Sequence, residues 1–270
     1  MIINHNLNAM NAHRNLVFNN IQQGKSSEKL SSGYRINRAA DDAAGLSISE
    51  KMRAQIRSLS QAQRNTQDGV SLVQTAEGAM NEVSDMLTRM KELATQASNG
   101  TYNTTDLTAI DNEYTKLKNS ITTDIATNTK FNGITLLNGS AGTITIQTGD
   151  NSADVVAINL TLADISTLSF TNALTTQSSA QSALAEVDTA IETVNAGRSE
   201  LGAVQNQLEH RYNNTAATTE NLQAAESRIR DTDMAAEMMT YTKFNILQQA
   251  ATAMLAQANQ SPQGVLQLLR

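Results

Sequence analysis

The chain has 270 residues, a formal net charge of −6 and charged side chains at 17% of its positions. With one proline, no cysteine, no tryptophan and only 3% aromatic residues, it cannot fill a broad core with rings, although it can line helix contacts with Ala, Leu and Met. The lack of cysteine excludes a disulfide framework, a thiolate metal site and a cysteine nucleophile. The acidic balance argues against nucleic acid as the main partner.

Residues 1–32 have the periodicity of an α-helix. The apolar stripe, at spacings of three and four, consists of Ile3, Leu7, Met10, Val17 and Ile21, interrupted by Arg14. Asparagine is frequent and Gly24 is expected to break the run, so this helix would be marginal on its own. The stretch has no apolar segment of a signal peptide, and no run approaches the roughly 20 apolar residues of a membrane span, so we expect neither a cleaved signal nor membrane insertion.

A second, longer helix is predicted after a short link. Gly33 permits a turn at the end of the first helix, and Asp41 or Asp42 can cap the helix that follows. An apolar stripe then continues to Ser98. The pair Asn99–Gly100 predicts the end of the helix at that point.

The middle of the chain changes character twice. A shorter amphipathic helix is predicted over residues 105–126. Residues 131–168 then show β-branched alternation and turn pairs, which predict two or three short strands in hairpins, with Leu160 and Leu162 in the last strand. From Ser178 onward a clean heptad pattern predicts another long helix.

The last fifty residues, 221–270, are expected to continue that helix without an obvious breaker. Asp231 and Asp233 are predicted to lie inside it and to form salt bridges with Arg228 and Arg230. The pattern is apolar on several faces, so the helix needs partners on several sides, and one other helix of the chain cannot cover it. We expect the two ends of the chain to pack together and with copies of themselves.

Residues that could carry chemistry do not form a site. His5, His13 and His210 have no metal-binding spacing, and a helix rather than a strand precedes the partial phosphate-loop pattern at residues 24–26. The Ser- and Thr-rich insert could carry O-linked sugar if it is exposed. We therefore expect no catalytic residue, no cofactor and no metal, and the chain is not expected to be an enzyme.

Long motifs give the chain a clear resemblance to bacterial flagellin, the subunit of the flagellar filament. They are EKLSSGYRINRAADDAAGLSISEKM (Glu28–Met52), RNTQDGVSLVQTAEGAMNEV (Arg64–Val83), FNGITLLNG (Phe131–Gly139), ENLQAAESRIRDTDMAAEMM (Glu220–Met239) and ILQQAATAMLAQANQSPQGVLQLLR (Ile246–Arg270). The resemblance implies a mainly α fold: a long antiparallel helical rod, coiled-coil-like, with a small β-hairpin insert and paired N- and C-terminal helices. The outer domains of longer flagellins are missing.

The resemblance also implies a domain division. Residues 1–42 and 226–270 would form the inner terminal-helix domain, and residues 43–225 the rod, with the β-hairpin insert near 131–168. In the single chain the terminal helices would lack partners, and copies in a helical filament would cover them. The residues expected to pack in the filament core are Ile3, Leu7, Met10, Val17, Ile21, Met239, Ile246, Leu255, Val265, Leu266 and Leu269.

Partners follow from the same resemblance. The chain would form a homopolymer, bind an export chaperone through about Met234–Leu269, and meet the filament cap and the hook-associated junction protein. It would be secreted through the flagellar type III export channel into the extracellular filament. A Toll-like flagellin receptor would contact Arg89, Leu93 and Glu113. The open alternative is a hook–filament junction protein, which would not grow long polymers.

Overall fold

The computed structural model describes residues 5–268, and side chains as far as Ser261. The chain divides into two compact units, one formed by Met1–Ala54 with Asn221–Arg270 (unit 1) and the other by Gln55–Glu220 (unit 2). The domain limits expected from the sequence, after residue 42 and before residue 226, stay a prediction. None of the helices in the described part is long and apolar enough to cross a membrane.

Helices dominate the structure, which confirms the predicted mainly α fold. They are α1 (Leu7–Ser32), α2 (Ala43–Ala97), α3 (Thr104–Asn119), α4 (Ala126–Asn128), α5 (Gln177–Arg230) and α6 (Met234–Leu268). A π-helical turn, Ser120–Ile125, joins α3 to α4, so the predicted shorter helix is present with a distorted end. The helix stop at Asn99–Gly100 is correct, because α2 ends just before it.

The β insert consists of two hairpins of very short strands. Antiparallel β1 (Lys130–Phe131) pairs with β2 (Ile134–Thr135), and β3 (Thr143–Gln147) pairs with β4 (Val155–Asn159). The prediction that Leu160 and Leu162 continue the last strand is wrong. They lie in a 3₁₀ turn, Leu160–Ala163, because the side chain of Asn159 caps it by accepting from the amide of Thr161.

Unit 2 is held by an apolar core between antiparallel stretches of α2 and α5. The antiparallel direction follows from two pairs: Gln63 donates to Thr219 at 3.3 Å, and the ammonium of Lys91 lies 2.6 Å from Asp188. The helix α3 and the β insert cover this pair. Fully buried members of the core are Met80, Val83, Leu87, Met90, Tyr114, Ile121, Leu136, Ile158, Val187, Val194, Leu201 and Leu208.

In unit 1, the prediction that Gly24 breaks the first helix is wrong. The helix α1 runs through Gly24 and ends at Gly33, whose φ of 76° is the left-handed conformation that glycine adopts easily. As predicted, Asp42 caps α2, because its carboxylate accepts from the amide of Gly45 at 2.9 Å. Its neighbour Asp41 accepts instead from the amides of the preceding turn.

The prediction of one unbroken helix from Ser178 to the end of the chain is also wrong. The helix α5 ends at Arg230, and α6 starts anew because Asp233 caps it, accepting from the amides of Ala235 and Ala236 at 2.9 and 3.1 Å. The predicted salt bridges of the two aspartates to arginines do not form. The carboxylate of Asp231 accepts from Ser227 instead.

Candidate self-association surface

The helices α1 and α6 pack side by side along one stripe of each, here called the α1–α6 seam. Half-buried positions recur at spacings of three and four in both helices, as expected for two helices in line contact. The seam is made mainly of small or polar side chains. Its members are the N-cap Asn6 and Ala9, Ala12, Leu16, Asn19, Gln23, Ser26 and Leu30 of α1, and Glu237, Tyr241, Phe244, Gln248, Ala251, Leu255 and Ala258 of α6.

Hydrogen bonds close both ends of the seam and show that the two helices are antiparallel. The side-chain amide of Asn6 donates to the carbonyl of Ala258 at 2.7 Å. At the other end, Ser26 donates to the carboxylate of Glu237. Ser26 is the one buried residue of α1, and the described side chains of α6 include no buried one. The pair therefore has almost no apolar core of its own.

The most exposed large apolar side chains of both helices point away from the seam. From the geometry of 3.6 residues per turn, one set lies on the side of each helix opposite the seam. We call this set the outer apolar face: Leu7, Met10, Val17 and Ile21 on α1 and Met239 and Ile246 on α6, which are 44–70% exposed. Exposed apolar residues gathered on one surface mark an interaction site more reliably than scattered ones do.

The flanks of α6 are apolar as well. Met234 and Met238 lie on one flank and Leu247 and Met254 on the other, and all four are 39–65% exposed. The second flank borders a groove of about 760 Å³ between the two helices. Its opposite wall is a ladder of asparagines: Asn8, Asn11, Asn15 and Asn19. The uncovered surface thus extends around three sides of α6.

Most of the predicted filament-core residues that the structure describes belong to the outer apolar face. Leu255 is the exception, because it is half-buried in the α1–α6 seam. Ile3 and Leu269 lie outside the described residues, and so do the side chains of Val265 and Leu266. Their packing in a filament core stays a prediction, and the stripe that joins α1 to α6 is a different and more polar one.

A connection that the sequence did not reveal joins the two chain segments at the end of the pair. Tyr34 forms an antiparallel bridge with Asp231, and the amide of Arg35 donates to the carbonyl of Arg230 at 2.7 Å. The amide of Thr232 donates to the carbonyl of Gly33 at 3.0 Å. No periodicity signals such a short bridge. It ties the link after α1 to the break between α5 and α6.

The side chain of Arg230 reinforces this connection. Its guanidinium donates to the carboxylate of Glu50 at 2.6 Å and lies 4.9 Å from the centre of the Tyr34 ring, a cation–π geometry. The hydrogen bond from Arg230 holds the pKa of Glu50 below its ordinary value. The Arg230 side chain is 11% exposed, and its Nε has no acceptor among the described residues.

The three residues predicted as receptor contacts lie in unit 2. The guanidinium of Arg89 donates to the carboxylate of Glu113 at 2.9 Å, on the surface, and to that of Glu92. The hydrogen bond to Glu113, followed by the one to Glu92, raises the pKa of Arg89. Leu93, in contrast, is only 2% exposed and belongs to the core. The structure brings Arg89 and Glu113 together but buries Leu93.

The described part of the chain shows no arrangement suited to catalysis. Within it, no three side chains of His, Cys, Asp or Glu come together in a way that could hold a metal ion. The grooves lie on helix surfaces and have mixed polar and apolar linings, for example Thr66, Val70 and Tyr212 in one of about 460 Å³. The feature that stands out is the uncovered apolar surface of unit 1.

Comparison of the chain with known families matches most of its length. Residues 3–142 match the bacterial flagellin N-terminal helical region, and residues 184–269 match the bacterial flagellin C-terminal helical region. The chain is 56% identical to a flagellin of Halalkalibacterium halodurans over 273 residues, with 100% of both chains covered. It is 48% identical to a flagellin of Bacillus subtilis over 305 residues, and 44% identical over 291 residues to the flagellar filament 33 kDa core protein of Treponema phagedenis, again with full coverage of both chains.

Solved structures give the same picture for the fold. The crystal structure of Bacillus cereus flagellin is similar with a TM-score of 0.53 and 38% identity, covering 60% of this chain and 94% of that one. The structure of a putative flagellar hook-associated protein from Vibrio parahaemolyticus has a TM-score of 0.55 at 14% identity, covering 71% of this chain and 100% of that one. The second likeness concerns the fold alone.

Proposed function

The chain belongs to the bacterial flagellin family, and from this membership we propose that its copies join through the outer apolar face of the α1–α6 pair. Family members are structural subunits of the flagellar filament, so the chain is a self-assembling filament subunit of the bacterial flagellum and not an enzyme. It is a short form without the outer variable domains. The observation that carries the proposal is the exposure of this face, which reaches 70% at Met239.

The free energies of side-chain burial and of association favour a polymer over a simple dimer. A Leu, Ile, Val or Met side chain contributes about 1.5–3 kcal/mol when it is fully removed from water. Association costs an estimated 4–15 kcal/mol in lost freedom of motion. Partial burial of a few side chains between two copies is therefore marginal, and stable assembly requires that each copy meets several neighbours.

The distribution of apolar residues supports such multiple contacts. The outer apolar face and the two flanks of α6 point in different directions, so a single twofold contact cannot cover them all. Contacts between different surfaces of successive copies generate an open helical polymer when the rotation between copies does not close into a ring. The seam itself is too polar to hold the pair rigidly alone, so assembly is expected to order it further.

Seeded polymerisation of the purified chain tests the proposal. Met239→Glu or Ile246→Glu places a charge on the outer apolar face, and each is expected to abolish elongation of seeds while the helix content measured by circular dichroism stays unchanged. The matched controls Met239→Leu and Ile246→Leu keep an apolar side chain and are expected to elongate normally. Normal elongation by both glutamate variants would refute the proposed surface.

A truncation probes the end of α6. Removal of residues 265–270 takes away Val265, Leu266 and Leu269, and we expect it to abolish polymerisation while unit 2 remains helical by circular dichroism. Normal filaments from the truncated chain would show that these residues are not part of the packing.

The same seeded assay separates the filament subunit from a hook–filament junction protein. A filament subunit elongates seeds to long polymers, whereas a junction protein adds and then stops. The chain's full-length similarity to flagellins favours the subunit. Short, capped seeds that fail to grow would favour the junction protein instead.

We further propose that the uncovered apolar surface of α6 has other partners before assembly. An export chaperone that covers about Met234–Leu269 would shield the exposed methionines during secretion to the cell exterior. The filament cap and the hook-associated junction protein would meet the same surfaces as a neighbouring copy does. Co-purification of the Met239→Glu variant with the chaperone at unchanged yield would argue against this shared surface.

A role as ligand of a Toll-like flagellin receptor is a second proposal. The surface pair of Arg89 and Glu113 favours it, because both side chains are about half exposed and presented together. Burial of Leu93 implies that this residue acts by supporting the surface. A receptor reporter assay is expected to lose signal with Arg89→Ala and with Glu113→Ala, and unchanged signals would remove the assignment.

A further inference from the structure

Exposed methionines are concentrated on the α1–α6 pair. Met10 is 62% exposed on α1, and α6 carries Met234, Met238, Met239 and Met254 with exposures between 47% and 70%. Met80 and Met90, in the core of unit 2, are fully buried. The most exposed thioethers of the described residues therefore lie on the surface proposed for assembly. Met80 and Met90 in the core of unit 2 are inaccessible, while Met86 of unit 2 and Met52 of unit 1 are half-buried.

The chemistry of a thioether makes this distribution consequential. Hydrogen peroxide transfers one oxygen atom to the sulfur: the sulfur lone pair attacks, the O–O bond breaks, the thioether is oxidised to a sulfoxide and the peroxide is reduced to water. The product replaces a flexible apolar side chain by a polar one with a strong hydrogen-bond acceptor. A polar group that is buried without a partner opposes the contact that buries it.

We propose that Met10, Met234, Met238, Met239 and Met254 form an oxidative modification site, at which peroxide blocks assembly of the free chain without unfolding unit 2. The inference rests on the proposed function, because it requires that this surface becomes buried between copies. The four methionines of α6 lie on the three sides of that helix that α1 does not cover, so sulfoxides would meet a neighbour on whichever of those sides it docks. Assembly in turn removes them from the oxidant.

The test begins with peroxide treatment of the free chain, after which catalase removes the excess. Peptide mass spectrometry is expected to show the gain of one oxygen at each of the five exposed methionines at least tenfold faster than at Met80 and Met90. Helix content and thermal unfolding of unit 2 are expected to stay unchanged, while the critical concentration for seeded elongation rises at least tenfold. Equal oxidation rates at exposed and buried methionines would overturn the inference.

A matched variant tests whether the methionines cause the loss. With all five replaced by leucine, the surface stays apolar but cannot be oxidised, and such volume-conserving exchanges are well tolerated. This variant is expected to elongate seeds equally before and after peroxide. A similar loss of elongation after treatment would show that oxidation acts elsewhere.

Repair gives a second test that does not depend on the variant. Methionine sulfoxide reductases A and B together reduce both sulfoxide epimers, and they are expected to restore elongation of the treated wild-type chain. Assembled filaments given the same peroxide dose are expected to gain oxygen at Met239 at least tenfold more slowly than the free chain. Repair without recovery, or equal rates in both states, would overturn the inference.

The outcomes distinguish a failure of this inference from a failure of the proposed function on which it rests. If the untreated chain fails to elongate seeds, the proposed self-association is wrong, and the modification site that depends on it is wrong as well. If the untreated chain elongates and the fully oxidised chain does so at the same critical concentration, the inference alone is wrong.

Discussion

The guanidinium of Arg230 donates a hydrogen bond of 2.6 Å to the carboxylate of Glu50 and at the same time lies over the ring of Tyr34. One side chain thus joins the last residue of α5 to the first turns of α2 and to the link that follows α1. Backbone hydrogen bonds between Gly33 and Thr232 and between Arg35 and Arg230 run alongside it. Backbone and side-chain contacts therefore hold these three segments of unit 1 together.

This pairing predicts an acid-dependent loosening of the connection. The pKa of Glu50 is lowered in the folded chain, mainly by the hydrogen bond from Arg230, from its ordinary value of 4.5. Because the pKa of Glu50 is lower in the folded chain, the unfolded chain takes up the proton at a higher pH than the folded chain does. The stability that the pair contributes is therefore complete above pH 4.5 and is lost as the pH falls through the folded pKa. Hydrogen exchange of the Arg35 and Thr232 amides, corrected for intrinsic rates, should accelerate in that range.

Glu50→Gln provides the check on this pH dependence. In that variant the two amides should exchange faster at neutral pH, and the acid-dependent acceleration should largely disappear. Glu92→Gln, which alters a surface carboxylate of unit 2, is the matched control and should leave these amides unaffected. Identical profiles for wild type and Glu50→Gln would rule out the pairing as their cause.

Substitution by alanine is expected to have opposite effects on the stability of unit 2 at two glycines of α5. A Cβ atom on Gly197 would lie 2.6 Å from the carbonyl oxygen of Leu162 and 2.8 Å from Met80, whereas nothing lies within 4 Å of one on Gly202. Gly197→Ala should lower the free energy of unfolding of unit 2 by about 1–3 kcal/mol, because backbone must move. Gly202→Ala should raise it by about 0.5–1 kcal/mol, because alanine favours the helix. Urea unfolding followed by circular dichroism measures both.

The hydroxyl of Tyr114 predicts a stabilising substitution. Its side chain is 1% exposed, and the hydroxyl has no hydrogen-bond partner among the described residues. Burial raises its pKa far above the ordinary value, helped by the charges of Glu186 and Asp111, so it stays a protonated, unsatisfied donor. Tyr114→Phe should raise the free energy of unfolding by about 1 kcal/mol or more. The control Tyr102→Phe removes an exposed hydroxyl that accepts from Gln96 and should change little; a destabilised Tyr114→Phe would contradict the expectation.

The polar seam predicts a difference between free and assembled chain. With Ser26 as the one buried residue of α1, the α1–α6 pair has little apolar burial to hold it closed. Amide hydrogens of α1 and α6 should therefore exchange quickly in the free chain, while those around Met80 and Leu87 in unit 2 are protected. Assembly should slow exchange in α1 and α6 by at least tenfold. Equal protection of the pair and of unit 2 in the free chain would show that the seam suffices.

Much of this fold could be predicted from the sequence, because long periodic stripes and specific motifs mark helices strongly. The cap of α2 at Asp42 and the hairpins of the insert followed from local rules. The break at Asp231–Asp233 did not, because an N-cap inside a continuous heptad pattern looks like one more polar surface position. Gly24 was assigned too much weight, since one glycine in a long helix costs only about 1 kcal/mol.

The sequence pattern indicates which apolar residues share a face of α1, but it does not indicate which face packs against α6. The periodic stripe of Leu7, Met10 and Val17 is the most apolar one on α1, and a stripe of that kind is expected to face the neighbouring helix. The structure places the smaller Ala9 and Ala12 there instead. A pattern shows which residues share a face, but it does not show whether the same chain or another copy covers that face.

The most direct test of the proposed self-association is an electron cryomicroscopy map of the polymer grown from the purified chain, at a resolution that shows side chains. We predict that Leu7, Met10, Val17, Ile21, Met239 and Ile246 lose most of their exposed surface to neighbouring copies, with the α1–α6 seam kept within each chain. A filament in which these six side chains face solvent would contradict the proposal.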